Sequence, residues 1–123
     1  MVATKKSRVS QKTALASKMN QRIFITPKAS QDIDDVFNYI AQDNHDAALS
    51  FFDAVRLTIA QIAQTPGIGS PYTVNNSRLK GLRKKVVKGF EKYLIFYLSQ
   101  DDLLSVVRII HATRDLPTIL EKE

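Results

Sequence analysis

Three strand-like runs between residues 82 and 111, joined by turns too short for anything but a reversal, constrain this chain more than any other feature. Leu82–Lys88, Tyr93–Leu98 and Leu104–His111 are rich in β-branched, aromatic and aliphatic residues, the composition of strands. Gly89-Phe90-Glu91 joins the first pair and Gln100-Asp101-Asp102 the second. Connections of this length force neighbouring strands to pair antiparallel. The middle run, YLIFYL, is too apolar to face water on both sides, so another layer must cover it.

The covering layer lies upstream. Arg22–Thr26 (RIFIT) reads as a first strand. Thr26-Pro27 then fits a helix start, with Thr as N-cap and Pro in the first turn. Ala29, Ile33, Val36, Phe37, Ile40 and Ala41 recur at helical spacing, so one apolar stripe runs along a helix over 28–42. Asp32, Asp34 and Asp35 lie near its start, where negative charge suits the helix dipole and solvated acids are the simplest reading. Asp43-Asn44-His45-Asp46 breaks the pattern, and a second helix follows over 45–64. Its stripe is Ala48, Phe52, Val55, Ile59 and Ile62, widened by Phe51 and Ala63. Thr65-Pro66-Gly67 ends it. Residues 65–80 read as an irregular connection, and Leu116–Leu120 as a short terminal segment of one helical turn. The order is β-α-α-β-β-β. The fold class is α+β, a helix hairpin packed on one face of a small antiparallel sheet.

A chain of 123 residues suits one domain of this size. Residues 1–20 are rich in Ser, Thr and Lys without a regular apolar face, and read as a disordered basic extension; residues 21–123 are expected to form the single domain. Met19 is a second candidate start. No cysteine is present, which excludes disulfides, thiolate metal sites and cysteine nucleophiles. Two histidines, His45 and His111, do not make a metal site, and neither metal nor cofactor is expected. No apolar run has the roughly 18 residues that a membrane-spanning helix needs. The formal charge of +6 resolves by segment: residues 1–22 hold six cations and no acid, 23–77 hold two cations against six acids, and 78–123 ten against six. The body beyond residue 22 is therefore neutral but polarised. That layout suits a directed interface with an acidic partner better than general affinity for nucleic acid.

The run Val106 to Leu116, VVRIIHATRDL, resembles the terminal motif of the RelE/ParE superfamily of bacterial type II toxins, and is closest to ParE-like members. Ile25-Thr26-Pro27-Lys28-Ala29, Tyr39-Ile40, Ala48 with Phe52, Pro66-Gly67, Leu82-Arg83 and Tyr93–Tyr97 support it in the same order. The resemblance covers about 22–120. It implies a cytoplasmic toxin of a plasmid-stabilisation system, held inactive by a cognate antitoxin. ParE-like members are associated with DNA gyrase, RelE-like members with cutting mRNA on the ribosome.

The candidate site residues follow. Arg78, Lys80, Arg83, Lys84, Lys85, Lys88 and Lys92 stand within 15 residues. On an alternating strand Arg83 and Lys85 share one face, Lys84 and Lys88 the other. With Arg114, the cations from 78 to 88 are the candidates for binding the target or the antitoxin. A nuclease would need groups to activate a hydroxyl, stabilise phosphate and protonate the leaving oxygen; Arg83, Lys85, Arg108, His111 and Arg114 are the set available. No tyrosine follows Tyr97, whereas RNA-cutting relatives resemble one another in a terminal Tyr or a Glu/His pair. His111 then reads as the polar end of a strand, Arg114 and Asp115 as a local pair, and Arg108 as reaching a carboxylate or the sheet's open face. The leading expectation is a non-enzymatic ParE-like inhibitor of gyrase. The alternatives are a ribosome-dependent mRNA endoribonuclease and a non-toxic member of a toxin–antitoxin complex.

Overall fold

The structure, a computed structural model, describes residues 21–123. The extension expected over 1–20 lies outside the described residues. Strand β1 (Arg22–Ile25) leads into α1 (Pro27–Ala41) and α2 (His45–Gln64). The short strand β2 (Ser70–Pro71) follows, then β3 (Arg83–Val87), β4 (Phe90–Gln100), β5 (Leu103–His111) and α3 (Leu116–Glu121). Local chemistry sets the helix starts. Thr26 Oγ1 accepts from the Ala29 N–H at 3.1 Å, with Pro27 in the first turn, and Asn44 Oδ1 accepts from the Ala47 N–H at 3.0 Å. Each cap satisfies a donor that the helix leaves without a partner.

The sheet runs in the order β1-β5-β4-β3-β2. Strands β2 to β5 pair antiparallel, and for β3, β4 and β5 the short turns require it. Strand β1 does not follow that pattern: it pairs parallel with β5, Ile23 opposite Leu104 and Ile25 opposite Val106, so the sheet is mixed. Turn length dictates only which consecutive strands meet. The partner of β1 arrives from the far end of the chain, after the helices have carried it across the sheet.

Both faces of the central strands are covered, while Ile23, Phe24 and Ile25 of the edge strand β1 stay exposed. On one, Phe51, Val55, Ile59 and Ile62 of α2 and Ile33 of α1 meet Ile95, Tyr97, Val106 and Ile109. Phe51 is fully buried and meets Phe90 and Tyr93 edge to face, whereas Phe52 stands 43% exposed. This reverses the expected weight of the two: the helix phase turns Phe51 to the sheet and Phe52 to the rim. On the second face Leu94, Phe96, Val107 and Ile110 pack under Leu79 and Leu82, with Leu116, Ile119 and Leu120 of α3. The sheet's expected open face is therefore largely filled, because the irregular 72–82 connection and α3 carry enough apolar side chains to cover it.

Two glycines do specific work. Gly89 has φ +85°, the left-handed value a tight β3–β4 turn needs. A Cβ on Gly69 would fall 2.5 Å from Tyr97 Oη and 2.6 Å from the Lys84 carbonyl oxygen, so only glycine fits there.

Candidate functional site

The cations of β3 have different fates. Arg83 and Tyr97 face one another across β3 and β4. The Arg83 guanidinium donates to the carbonyls of Gly67 and Gly69. The Tyr97 hydroxyl donates to the Pro66 carbonyl at 2.6 Å and accepts from the Gly69 N–H at 2.9 Å. Arg83 is thus spent holding the 66–69 turn against the sheet. Burial pushes the Tyr97 phenol above its ordinary value, opposed by the Gly69 hydrogen bond and the Arg83 charge.

Lys84 sits on the opposite face, its ammonium 5.6 Å from the centre of the Tyr72 ring, a cation–π distance. Lys85 borders a shallow cleft with Ile68, Ser70 and Leu94. Lys88 departs from the expected alternation. The β3–β4 register shifts between Val86 and Val87, and Lys88 lies beyond the strand with its N–H donating to Thr58 Oγ1 at 3.3 Å. It borders a groove with Leu57 and Gln61 of α2 and does not share Lys84's face. A bulge of this kind re-aims whatever follows it. Arg78 and Lys80 are exposed around a single 3₁₀ turn, Ser77–Leu79. Strand β2 pairs only with Arg83 and Lys84, which leaves the outer edge of β3 over 85–87 without a strand partner among the described residues.

Arg108 reaches a carboxylate, and in fact two. Its Nε donates to Asp32 Oδ2 at 2.7 Å and a terminal nitrogen to Asp32 Oδ1 at 2.9 Å; the other terminal nitrogen meets Glu123 Oε2 at 2.9 Å. Asp32 Oδ2 also accepts from the Ile109 N–H at 2.9 Å, and Lys28 stands 3.4 Å from Glu123. Asp32 is therefore not a solvated helix-start acid like Asp34. Its carboxylate caps the edge of β5 beyond the point where β1 ends. The Asp32 hydrogen bonds hold the Arg108 guanidinium above its already high ordinary value.

At the end of β5, Thr113 donates its N–H to His111 Nδ1 at 3.2 Å, which is the local backbone contact expected of a strand-ending polar residue. The His111 ring meets Tyr93 edge to face at 5.0 Å. Arg114 is exposed; Asp115 takes the Thr118 hydroxyl at 2.7 Å. His111, Arg114 and Arg108 border one cleft with Tyr39, Tyr93 and Asp35. Arg83 and Lys85 do not border it: they lie on β3, with β4 between them and β5. The structure thus splits the five-residue nuclease set. In sequence Tyr39 and Tyr93 carry no site signal, and Asp35 reads as a solvated helix-start acid. Asp32, Asp35 and Tyr39 do share a face of α1 by their spacing, but nothing local shows that β5 ends beside it.

The model of the ParE toxin of the type II toxin–antitoxin system parDE matches residues 23–116. The chain belongs to the ParE toxin family. Among solved structures it resembles one described as a chromosomal ParDE TA system from P. aeruginosa. The TM-score is 0.63 at 18% identity, over 76% of this chain and 97% of that one. At that identity the likeness concerns the fold alone. No curated protein matches the chain. Among the described residues of this ParE-family chain, no helix is long and apolar enough to cross a membrane.

Proposed function

We propose that this chain is a toxin that acts by binding and inhibiting DNA gyrase in the cytoplasm, and that a cognate antitoxin neutralises it. The toxin domain spans 21–123, with residues 1–20 a basic extension outside it. Family membership supports the reading. The observation that carries the choice against RNA cleavage is the state of the cations. Arg83 is held by turn carbonyls and Arg108 by two carboxylates, while Lys85 and His111 stand on strands separated by β4. A nuclease must bring free cations to one phosphate.

The antitoxin surface is the basic edge of β3. An extended segment continuing the line of β2 would meet the unpartnered edge over 85–87, with Lys84, Lys85 and Lys88 beside its acidic side chains and Arg78 and Lys80 at its end. Arg114, exposed beyond the end of β5, belongs to the surface that meets gyrase.

Induction of residues 19–123 in a bacterium tests this. Growth arrest with falling plasmid supercoiling and intact mRNA is expected; a small acidic protein encoded beside the gene is also expected, and its co-expression should restore growth. Cuts in mRNA that vanish in His111→Ala or Arg114→Ala would replace the gyrase reading with the nuclease one. Lys84→Glu with Lys85→Glu should weaken antitoxin binding by about tenfold or more, with a reduced dependence on salt.

A further inference from the structure

We infer that the cleft between α1 and the end of β5 binds a nucleoside phosphate, its phosphate on Arg114 and its base against Tyr39 and Tyr93. The residues that border this cleft differ in how far the fold has already committed them. Asp32 and Arg108 neutralise one another and are spent. Arg114, Tyr39 and Tyr93 make no side-chain hydrogen bond or ion pair among the described residues, and the Tyr93 ring is held in place by edge-to-face contacts with Phe51 and His111. Each carries donors, and Tyr39 is 68% exposed. Burial and the neighbouring Tyr39 push the Tyr93 phenol above its ordinary value, so it stays a neutral O–H donor at neutral pH. His111 Nδ1 meets both the Thr113 N–H at 3.2 Å and the Thr113 hydroxyl at 2.7 Å, so Nε2 is the ring nitrogen left without a protein partner among the described residues.

The cleft thus offers one guanidinium, two phenols and one imidazole nitrogen around two aromatic rings. Guanidinium with aromatic rings is the chemistry that takes up a phosphate and stacks a base. The volume of about 330 Å³ lies near the lower end of the roughly 300–1,000 Å³ of small-molecule pockets, enough for one nucleotide unit. Asp35 stands at the wall and is an acceptor for a base amino group. It also balances Arg114, so the cleft has no net charge to hold a bare phosphate. The rings must supply part of the affinity, and a nucleotide should bind where inorganic phosphate does not. The same chemistry takes a free nucleotide or one unit of a single strand.

The test is a titration of the purified chain, followed by NMR of the Tyr93 and His111 ring signals. The ligands are AMP, UMP, uridine, inorganic phosphate and an oligonucleotide of about eight residues. Expected are saturable shifts with the mononucleotides and much weaker ones with uridine or phosphate alone. Arg114→Ala should weaken the nucleotide by about tenfold or more. Tyr39→Ala should weaken the nucleotide and leave the response to phosphate unchanged. Both side chains are exposed, and an unchanged near-UV circular dichroism spectrum checks that each variant is folded. Oligonucleotide binding tighter than AMP, lost in the same variants, assigns the site to a strand; the reverse order assigns it to a free nucleotide. Absence of saturable shifts at about 10 mM nucleotide, well above ordinary pocket affinities, would overturn the inference. So would shifts indifferent to both variants, or shifts lost equally in Lys84→Ala with Lys85→Ala. Because the readout is binding by the purified chain, its failure leaves the gyrase reading standing, and failure of the gyrase reading leaves this one standing.

Discussion

Replacing Asp32 with alanine should destabilise the protein more than any other single change on the outer turns of α1. Three consequences add. Arg108 loses a bidentate partner, the Ile109 N–H at the sheet edge loses its acceptor, and α1 loses its tie to β5. The side chains are 17% and 13% exposed for Arg108 and Asp32, so solvent screens the pair only slightly. Breaking one side of a buried pair costs about 3–5 kcal/mol. Glu123 still holds one guanidinium nitrogen at 2.9 Å, which lowers the expectation to about 3 kcal/mol. For a domain of about 100 residues that is roughly 12 °C in Tm. Asp32→Asn keeps an acceptor but no charge, and should cost about 2 kcal/mol. The assay is urea unfolding of Asp32→Ala, Asp32→Asn, Arg108→Ala and the double alanine variant. A coupling of about 2 kcal/mol between the two sites is expected. A loss below about 0.5 kcal/mol for Asp32→Ala, or no coupling, would refute the claim that this pair secures the edge of β5.

Other outcomes follow from the same structure. The Tyr97 phenol is raised above its ordinary 10.0, so the folded state keeps a proton that the unfolded chain loses first; stability should fall as pH rises above about 10. Tyr97→Phe should flatten that alkaline slope while costing about 1–3 kcal/mol at neutral pH, since the Gly69 N–H and Pro66 carbonyl lose their partner; pH-dependent urea melts read both. Phe51→Ala should cost about 3–5 kcal/mol, whereas Phe52→Ala should cost less than about 1 kcal/mol, and equal losses would contradict the burial described above. Gly69→Ala forces a methyl group onto Tyr97 Oη and the Lys84 carbonyl, and should lower Tm by several degrees or displace the 66–69 turn, visible as a change in tyrosine fluorescence.

Much of the architecture is legible in the residues alone, and the legible parts are local. The bounds of α1 and α2 follow from Thr26-Pro27, Asn44 and Thr65-Pro66-Gly67 and from a 3.6-residue stripe. The β3–β4–β5 meander follows from turns too short to do anything else. The VVRIIHATRDL run carries the family.

The tertiary structure decided what depends on residues far apart meeting. Asp32 and Arg108 are 76 residues apart, and no periodicity links them, so one acid of a three-aspartate run becomes a strand cap while its neighbours stay in water. Strand β1 lies parallel to β5 because the helices carry the chain across the sheet before its partner forms. The dense cations of β3 look alike in sequence. The fold spends Arg83 on a turn, sets Lys84 by Tyr72, and re-aims Lys88 through a bulge. The cleft of Tyr39, Tyr93, His111 and Arg114 exists only because the end of β5 comes to rest beside one face of α1. Local pattern sets each element's apolar face, and long-range packing sets which polar groups remain free for chemistry.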